Sequence, residues 1–413
     1  MRRIKTLIGI ILLLVVIVAG VFGTATDTKD GKIPADNGNP VADSASEMDA
    51  KADEVSTPGD TIVQETVSPE EKYELDEETE QKIDEIIDSM SVREKVGQLF
   101  FIKNDGRYDE SILEEYPVGG IILFSGDFIG ETAESLTEEI ALFQESSRYP
   151  LLVGTDEEGG TVIRVSNYSN LAEYPFSSPR SLYDSGGYDA IIEDTRVKSR
   201  LLLSYGINVN FAPVCDVSVN YGDFMYSRSF GNSAEEAAEY VSIVVETMNE
   251  ENIGSVLKHF PGYGNNGDTH KSIIYDKRSY EQFQTVDFIP FKAGIEAGTE
   301  CILVCHNIVE CMDAEWPASL SKDVHEILRD ELGFYGVIIT DDLMMNGVST
   351  YVSDEESAVL AIQAGNDMIL STNYQVQFEA VLRAVEDGDI TEERLDESIR
   401  RVLRWKYKLG LFE

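Results

Sequence analysis

Short apolar segments alternate with longer amphipathic segments along most of the chain. The apolar segments are VGQLFFI from Val96, GGIILFS from Gly119, LLVGTDEE from Leu151, NVNFAPVCDV from Asn208, SVLKHFP from Ser255, CILVCHN from Cys301, GVIITDD from Gly336 and DMILST from Asp367. Most are almost continuously apolar, which is typical of strands buried on both faces of a parallel sheet. Between them lie segments of helical periodicity, such as ETAESLTEEIALFQESS and SAEEAAEYVSIVVETMNEEN.

Strand and helix alternating eight times predict an α/β fold, a TIM-like (β/α)8 barrel in a single catalytic domain. A doubly wound open sheet is the alternative. It is disfavoured because no GxGxxG follows the first strand, and the glycines of VGTDEEGGT do not fit a dinucleotide-binding fingerprint.

The N-terminal part of the chain has a different character. Arg2, Arg3 and Lys5 precede an apolar run over residues 7–22, and small residues follow it. This pattern predicts a signal peptide or a membrane anchor over residues 1–25, and no Cys lies near residue 20 to suggest a lipoprotein. Residues 26–75 are rich in Asp, Ser, Pro and Gly, so a disordered acidic linker is expected there. The barrel domain is predicted over residues 76–413.

Charge and cysteine content narrow the classes of function. The 413 residues include 33 basic and 76 acidic ones, a net charge of −43, which disfavours binding to nucleic acid. Cys301, Cys305 and Cys311 cluster near His306, but their spacing matches no zinc pattern. Buried thiols are therefore expected, with no metal and no cofactor, while disulfides among these cysteines stay open.

Ionisable residues stand at the predicted carboxyl ends of five strands. They are Asp156, Glu157, Glu158, Asp216, Lys258, His259, His306, Asp341 and Asp342. In a (β/α)8 barrel these ends face the active-site mouth. One acid at a strand end can simply cap the next helix. Because buried charges are costly, charged residues at five strand ends predict a catalytic or ligand-binding site.

The predicted site contains carboxylates and imidazoles, and the sequence shows no phosphate-binding loop. These groups suit the cleavage of glycosides with retention of the anomeric configuration, which needs a nucleophilic carboxylate and a proton donor. Asp341 directly follows GVIIT and is the predicted nucleophile. Asp342 is predicted to point away and to cap the next helix, and the alternative is that both residues are caps.

The segment KHFPGYGNNGDTHKS supplies a candidate proton donor. Asp268 and His270 stand two apart on a loop that Gly262, Gly264 and Gly267 are expected to make pliable. A carboxylate that accepts from one imidazole nitrogen fixes the tautomer and leaves the other nitrogen for proton transfer.

Together with GTDEEGGTVIR, NFAPVCDV, SRSFG, CHN and GVIITDDLMM, this segment resembles the β-N-acetylglucosaminidase branch of glycoside hydrolase family 3, from about Glu94 to the C-terminus. The resemblance implies a barrel and a retaining mechanism, with Asp341 as nucleophile and His270, backed by Asp268, as proton donor and acceptor. It also implies a substrate-binding set of Asp156, Arg164, Arg228, Lys258, His259 and His306.

Three departures from the family pattern stand out. Tyr263 replaces the more common His of PGHG, and the turn before Asp268 is one residue shorter. Thr161 replaces the Arg of the common GGR, although Arg164 remains. The geometry of this loop, and with it the leaving-group preference, is therefore open.

β-Glucosidase relatives usually take their acid/base Glu from a second domain after the barrel. This chain ends at RRVLRWKYKLGLFE, after the eighth predicted βα unit, so the acid/base is expected within the barrel. We therefore predict an extracellular or cell-surface, monomeric exo-β-N-acetylglucosaminidase acting on peptidoglycan fragments or related carbohydrates. The alternatives are a GlcNAc-glycoside phosphorylase and a non-catalytic surface glycan-binding protein.

Overall fold

The apolar segments form strands of a parallel barrel in the computed structural model, which describes residues 68, 70–104, 110–231 and 233–412. The strands are Phe100–Lys103 (β1), Gly120–Leu123 (β2), Leu152–Thr155 (β3), Val209–Asn210 (β4), Gly254–Phe260 (β5), Tyr275–Asp276 (β6), Cys301–Val304 (β7), Ile308–Val309 (β8), Val337–Thr340 (β9) and Ile369–Ser371 (β10). The predicted signal or anchor segment, and the predicted linker up to residue 67, lie outside the described residues.

Eight strands form one parallel sheet in the order β10-β1-β2-β3-β4-β5-β7-β9. Phe100 of β1 pairs with Ile369 of β10. At the other edge, the N–H of Met368 donates to the carbonyl of Ile338 at 3.0 Å, beside a parallel bridge between Ile339 and Met368. These contacts between the two ends of the sheet close it into the predicted (β/α)8 barrel.

Helices connect the strands and surround them. They are Glu77–Ser89 (α1), Val92–Gln98 (α2), Glu110–Glu115 (α3), Ala133–Ser146 (α4), Pro179–Ser204 (α5), Ala234–Glu250 (α6), Tyr280–Gln282 (α7), Phe288–Glu296 (α8), Lys322–Glu326 (α9), Asn346–Ser349 (α10), Asp354–Ala364 (α11), Tyr374–Glu386 (α12) and Glu392–Lys408 (α13). Short 3₁₀ turns lie at Glu71–Tyr73, Ser125–Phe128 and Ala318–Leu320, and π turns at Phe283–Asp287 and Ile327–Glu331. Both quoted helical segments form helices, α4 and α6.

Alternate residues of the barrel strands belong to two different cores, as expected for a sheet covered on both faces. One core contains Phe101, Ile122, Leu152, Val209, Val256, Leu303, Ile339 and Leu370, whereas Phe100, Ile121, Val153, Leu257, Ile302, Ile338 and Ile369 lie in the other. A Cβ on Gly154 would lie 2.6 Å from the ring of Phe211 and 3.0 Å from that of Phe101. This glycine makes room for two large rings inside the barrel.

The apolar run that begins at Val96 is not wholly a strand. A capping box between Ser91 and Glu94 starts α2, which continues to Gln98 before β1 begins at Phe100. The capping box fixes where α2 begins, and α2 then includes residues 96–98, which the apolar pattern alone assigns to the strand.

A second, two-stranded sheet follows the carboxyl ends of β5 and β7. In it Tyr275 of β6 pairs with Ile308 of β8, and Asp276 pairs with Val309. This small sheet ties together the segments that follow the two neighbouring barrel strands.

The four cysteines are free; Cys215, Cys301 and Cys305 are buried and Cys311 is exposed. In the described part of the chain, no group of three or more His, Cys, Asp or Glu side chains is arranged to hold a metal ion. Among the same residues, no helix combines the length and the apolar character needed to cross a bilayer.

Candidate active site

The carboxyl ends of the barrel strands bring the predicted charged residues to one rim. Asp156 follows β3 directly, Lys258 and His259 lie in β5, and Asp341 follows β9 directly. The loop that carries Asp268 and His270 follows β5. Residues far apart in sequence thus share the mouth of one barrel.

Asp156 lies between two basic side chains. Its Oδ1 accepts from Nζ of Lys258 at 2.7 Å, and its Oδ2 lies 3.3 Å from Nη2 of Arg164. The turn carrying Arg164 is fixed by Glu157, whose Oε2 accepts from the N–H of Arg164 at 2.9 Å and from that of Val165 at 2.7 Å. Three of the predicted sugar-binding groups therefore occupy one connected patch.

Glu158 joins this patch to Arg228. Its Oε1 lies 2.7 Å from both Nζ of Lys258 and Nη2 of Arg228, while Oε2 accepts from Nε of Arg228 at 3.0 Å. Burial acts to raise the pKa of the Glu158 carboxyl, but Arg228 and Lys258 outweigh it and hold the pKa far below its usual value. The carboxylate is therefore ionised and compensates two buried cations.

His259 bridges Arg228 and Asp216. Its Nδ1 lies 2.7 Å from Oδ2 of Asp216, and its Nε2 lies 3.1 Å from Nη2 of Arg228. Since a guanidinium only donates, these contacts assign the proton to Nδ1 and leave Nε2 as the acceptor. Asp216 also accepts from the N–H of Tyr263 at 2.7 Å.

Lys258 and His259 are successive residues, yet both side chains contact the site. In a regular strand they would point to opposite faces. The pairing of β5 with β7 shifts register between Lys258 and Phe260, an irregularity of the kind that redirects side chains beside active sites. Both basic groups are thereby presented at the rim.

The glycines after β5 allow a close approach of the backbone to charged side chains. A Cβ on Gly262 would lie 2.2 Å from Oδ1 of Asp287, and one on Gly264 would lie 2.3 Å from Nη1 of Arg278. Both have positive φ, 121° and 55°. Arg278 also donates to the carbonyl of Gly262 at 2.8 Å. These two glycines therefore serve a packed, hydrogen-bonded turn rather than the pliable one expected.

Asp268 and His270 form the predicted pair. Oδ1 of Asp268 lies 2.8 Å from Nδ1 of His270 and accepts from its main-chain N–H at 3.0 Å. Burial acts to raise the pKa of Asp268, but the bonds from His270 and Lys271 hold it below its usual value. The His270 side chain is 62% exposed, so its ring is open to a ligand at the mouth.

The turn after β9 supports the loop that carries His270. The N–H of Gly347 donates to the carbonyl of Thr269 at 3.0 Å, and Nδ2 of Asn346 donates to the carbonyl of His270 at 2.9 Å. Both donors belong to α10, five or six residues after Asp341. The two predicted reacting groups therefore belong to segments that are hydrogen-bonded to each other.

Asp341 is partly exposed at the end of β9. Its N–H donates to the carbonyl of Val304 at 2.9 Å, and its Oδ1 accepts from the N–H of Asp342 at 2.9 Å. Burial acts to raise its pKa, but His306, His259 and His270 outweigh this and hold the pKa below its usual value. Three of the four histidines in the chain thus act on one carboxylate.

His306 is fully buried beside Asp341, and both ring nitrogens have partners. Nδ1 lies 2.8 Å from Oγ of Ser319, and Nε2 lies 3.0 Å from the carbonyl of Asp342. Burial lowers the pKa of His306, although Asp341 opposes the shift. The ring donates from Nε2 to the main chain next to Asp341, and its predicted contact with substrate stays a prediction.

Asp342 turns away from these groups, as predicted, but it does not cap the next helix, because the N-cap of α10 is Met345 and no side chain caps it. Its Oδ1 accepts from the N–H of Met344 at 3.1 Å and from Oγ1 of Thr372 at 3.2 Å. Two adjacent aspartates are thus separated in function: one carboxylate is bonded into the protein, and the other lies at the mouth.

Several residues that complete the site were not in the predicted site set. Glu158 and Asp216 stood at predicted strand ends, and that position was the signal that could have identified them. Ser319 and Asn346 gave no local signal, because their contacts with the site span 13 and 76 positions.

The chain is similar to a known protein family over most of its length. Residues 91–405 match the family described as "Glycosyl hydrolase family 3 N terminal domain". A beta-hexosaminidase of Idiomarina loihiensis is 33% identical over 317 residues, which cover 74% of this chain and 91% of that protein. A beta-N-acetylglucosaminidase/beta-glucosidase of Cellulomonas fimi is 29% identical over 339 residues, 78% of this chain and 58% of that protein.

Among solved structures, a glycoside hydrolase family 3 beta-N-acetylglucosaminidase from Paenibacillus sp. str. FPU-7 superposes with a TM-score of 0.74 at 32% identity, covering 79% of this chain and 64% of that one. The chain thus spans less than two thirds of this protein and of the Cellulomonas relative. The family match covers more than half of the chain, and the barrel carries the expected charged rim. The chain therefore belongs to the family of glycosyl hydrolase family 3 N-terminal domains.

Proposed function

We propose that the protein is a retaining exo-β-N-acetylglucosaminidase that removes terminal β-linked GlcNAc from peptidoglycan fragments or related glycans. The observation that carries the proposal is the relation of Asp341 to His270. Asp341 is a carboxylate at a rigid strand end, and His270 lies on the loop after β5 with its side chain exposed. The loop bearing His270 is hydrogen-bonded to the turn that follows Asp341.

In the first step the carboxylate of Asp341 attacks the anomeric carbon and the glycosidic C–O bond breaks. The departing oxygen takes a proton from Nε2 of the imidazolium of His270. Its Nδ1–H remains bonded to Asp268, which stabilises the ring in this orientation. The products are a glycosyl ester on Asp341 and the released alcohol.

In the second step the neutral imidazole of His270 accepts a proton from water at Nε2. The oxygen of that water attacks the anomeric carbon, and the ester bond to Asp341 breaks. Two inversions restore the β configuration of the released sugar. The carboxylate and the imidazolium are both regenerated.

The sugar before the scissile bond is held by the charged patch on the other side of the mouth. Carboxylate oxygens of Asp156 accept from sugar hydroxyls, whereas Lys258 and the forks of Arg164 and Arg228 donate to hydroxyl or N-acetyl oxygens. His259 completes this set. The contacts from Asp156 to Lys258 and from His259 to Arg228 support the assignment of this set to one sugar.

We also propose that the barrel works outside the cytoplasm. The basic residues Arg2, Arg3 and Lys5 before the apolar run over residues 7–22 support export, with or without retention as an anchor. A carbohydrate is the expected partner, and a monomer is sufficient for the mechanism because every proposed group comes from one chain.

The activity is tested with paired nitrophenyl β-GlcNAc and β-glucose substrates and with a GlcNAc-terminated disaccharide. We expect hydrolysis of the GlcNAc substrates and release of β-GlcNAc as the first anomer seen by NMR. Preference for the glucoside would contradict the assigned sugar, and release of α-GlcNAc would contradict the retaining mechanism.

Phosphorolysis is the second candidate, and one feature favours it. Lys271 is exposed next to His270, and a cation at the acid/base attracts an incoming anion where a carboxylate would repel it. Reactions with and without inorganic phosphate distinguish the two, because a phosphorylase forms GlcNAc 1-phosphate and a hydrolase does not.

A further inference from the structure

Tyr263 connects the sugar-holding part of the site to the loop that carries His270. The residue is 1% exposed. Its N–H donates to Oδ1 of Asp216 at 2.7 Å, and its hydroxyl lies 2.6 Å from Oγ1 of Thr269. One end of the residue is thus fixed to the carboxylate that orients His259, and the other end contacts the neighbour of His270.

The ring of Tyr263 is held on two sides. It meets the imidazole of His259 edge-to-face at a centroid distance of 5.3 Å, and the ring of Phe224 at 5.6 Å. A ring packed in this way keeps its hydroxyl in one place. Burial raises the pKa of the Tyr263 hydroxyl well above its usual value, so the phenol stays neutral.

Thr269 is fully buried and takes part in a second contact. Its carbonyl accepts from the N–H of Gly347, while its Oγ1 meets the hydroxyl of Tyr263. Thr269 is therefore hydrogen-bonded on two sides, to Tyr263 in the loop after β5 and to Gly347 in α10. Asp268 and His270 flank Thr269 directly, so its position sets theirs.

We infer that Tyr263 is a positioning residue that holds Thr269 and thereby fixes the Asp268–His270 pair relative to the sugar held by His259, which Asp216 orients. The catalytic part of this inference rests on the proposed function. Proton transfer to the leaving oxygen depends on a short, aligned contact, and a displacement of about 1 Å is sufficient to slow such a step severely. Loss of the hydroxyl therefore affects poor leaving groups selectively.

The test compares Tyr263→Phe, Thr269→Val and the double variant with the control Tyr205→Phe. Tyr205 is also buried, and its hydroxyl donates to the carbonyl of Leu171 at 2.5 Å, outside the site. kcat/KM is measured on nitrophenyl β-GlcNAc and on a GlcNAc-terminated disaccharide, and hydrogen exchange is followed in the amides of residues 266–271.

We expect each single variant to lose about tenfold in kcat/KM on the disaccharide and to stay within about twofold on the nitrophenyl substrate. The double variant should match the single ones, because both remove the same bond. Loop amides should exchange faster in the variants, while Tyr205→Phe changes neither rates nor loop exchange.

Equal losses on the two substrates, losses that multiply in the double variant, or unchanged loop exchange would each overturn the inference. If Tyr263→Phe does not fold, Thr269→Val decides by the same criteria. A wild-type protein that cleaves neither substrate rejects the proposed function instead, and loop exchange in the variants then decides whether Tyr263 holds Thr269.

Discussion

The N–H of Gly347 donates to the carbonyl oxygen of Thr269 at 3.0 Å, which links the loop after β5 to the turn after β9. The bond is made by main-chain atoms, so it is independent of the side chain at position 269. The predicted nucleophile precedes Gly347 by six residues, and the predicted proton donor follows Thr269 by one. The two groups therefore share one frame at the rim of the barrel.

Asp341→Asn should reduce kcat by at least about a thousandfold on both aryl and natural GlcNAc substrates. An amide cannot form the glycosyl ester, yet its oxygen still accepts from the N–H of Asp342, so the fold should persist. Asp342→Asn is the matched control. Its Oδ1 acceptor remains available to Met344 and Thr372, and its activity should stay within a few-fold of wild type. Similar losses in both variants would remove the nucleophile from Asp341.

His270→Ala should lose on the order of a hundredfold or more in kcat/KM on a GlcNAc disaccharide and far less in kcat/KM on nitrophenyl β-GlcNAc, because kcat/KM reports the glycosylation step. A phenolate leaves without a full proton, whereas a sugar alcohol does not. Lys277→Ala, which removes an exposed cation 3.5 Å from Glu310, serves as the control and should keep the ratio of the two activities. A uniform loss in His270→Ala would argue against proton transfer by this ring.

The acid limb of the pH profile of kcat/KM on nitrophenyl β-GlcNAc should lie below about pH 4, the ordinary value for Asp. Burial acts to raise the pKa of Asp341, but the larger combined effect of His306, His259 and His270 holds it below the usual value. The carboxylate of Asp341 therefore stays ionised as the pH falls through 5. The aryl substrate limits the contribution of the general acid. A midpoint above about pH 5, measured under conditions where the protein stays folded, would contradict this assignment.

Glu158→Ala should lower the free energy of unfolding by about 3–5 kcal/mol, because it leaves Lys258 and Arg228 buried without their shared carboxylate. Urea denaturation at neutral pH measures the change. Glu78→Ala removes an exposed pair with Lys82 at 2.8 Å, and solvent screening leaves such a pair with little effect on stability. A loss in Glu158→Ala no larger than in this control would mean that the network does not depend on Glu158.

The barrel could be predicted from the sequence because its strands are short and apolar on both faces. Phe100 and Phe101 are adjacent and belong to different cores, which is the physical reason for a continuous apolar run. The position of Asp341 at the barrel mouth could be predicted for a related reason, since it interrupts such a run. The start of β1 could not, because the apolar run continues without a break from the end of α2 at Gln98 into the strand.

The contacts between side chains within the site could not be predicted from the sequence pattern. Glu158 is one of three successive acids, and nothing local distinguishes the one that meets two cations from Glu157, which fixes a turn. The shared orientation of Lys258 and His259 depends on a register shift against β7. A period of two along the strand would have predicted opposite faces for them.

The loop after β5 is buried at its ends and exposed between them. Tyr263 and Thr269 are inaccessible to solvent, whereas Asn265 and Gly267 are open to it. Sequence drift at the two open positions can change the surface that meets an aglycone without displacing the imidazole. Laboratory evolution toward other aglycones would therefore begin at Asn265 and Gly267 and leave Tyr263 and Thr269 unchanged.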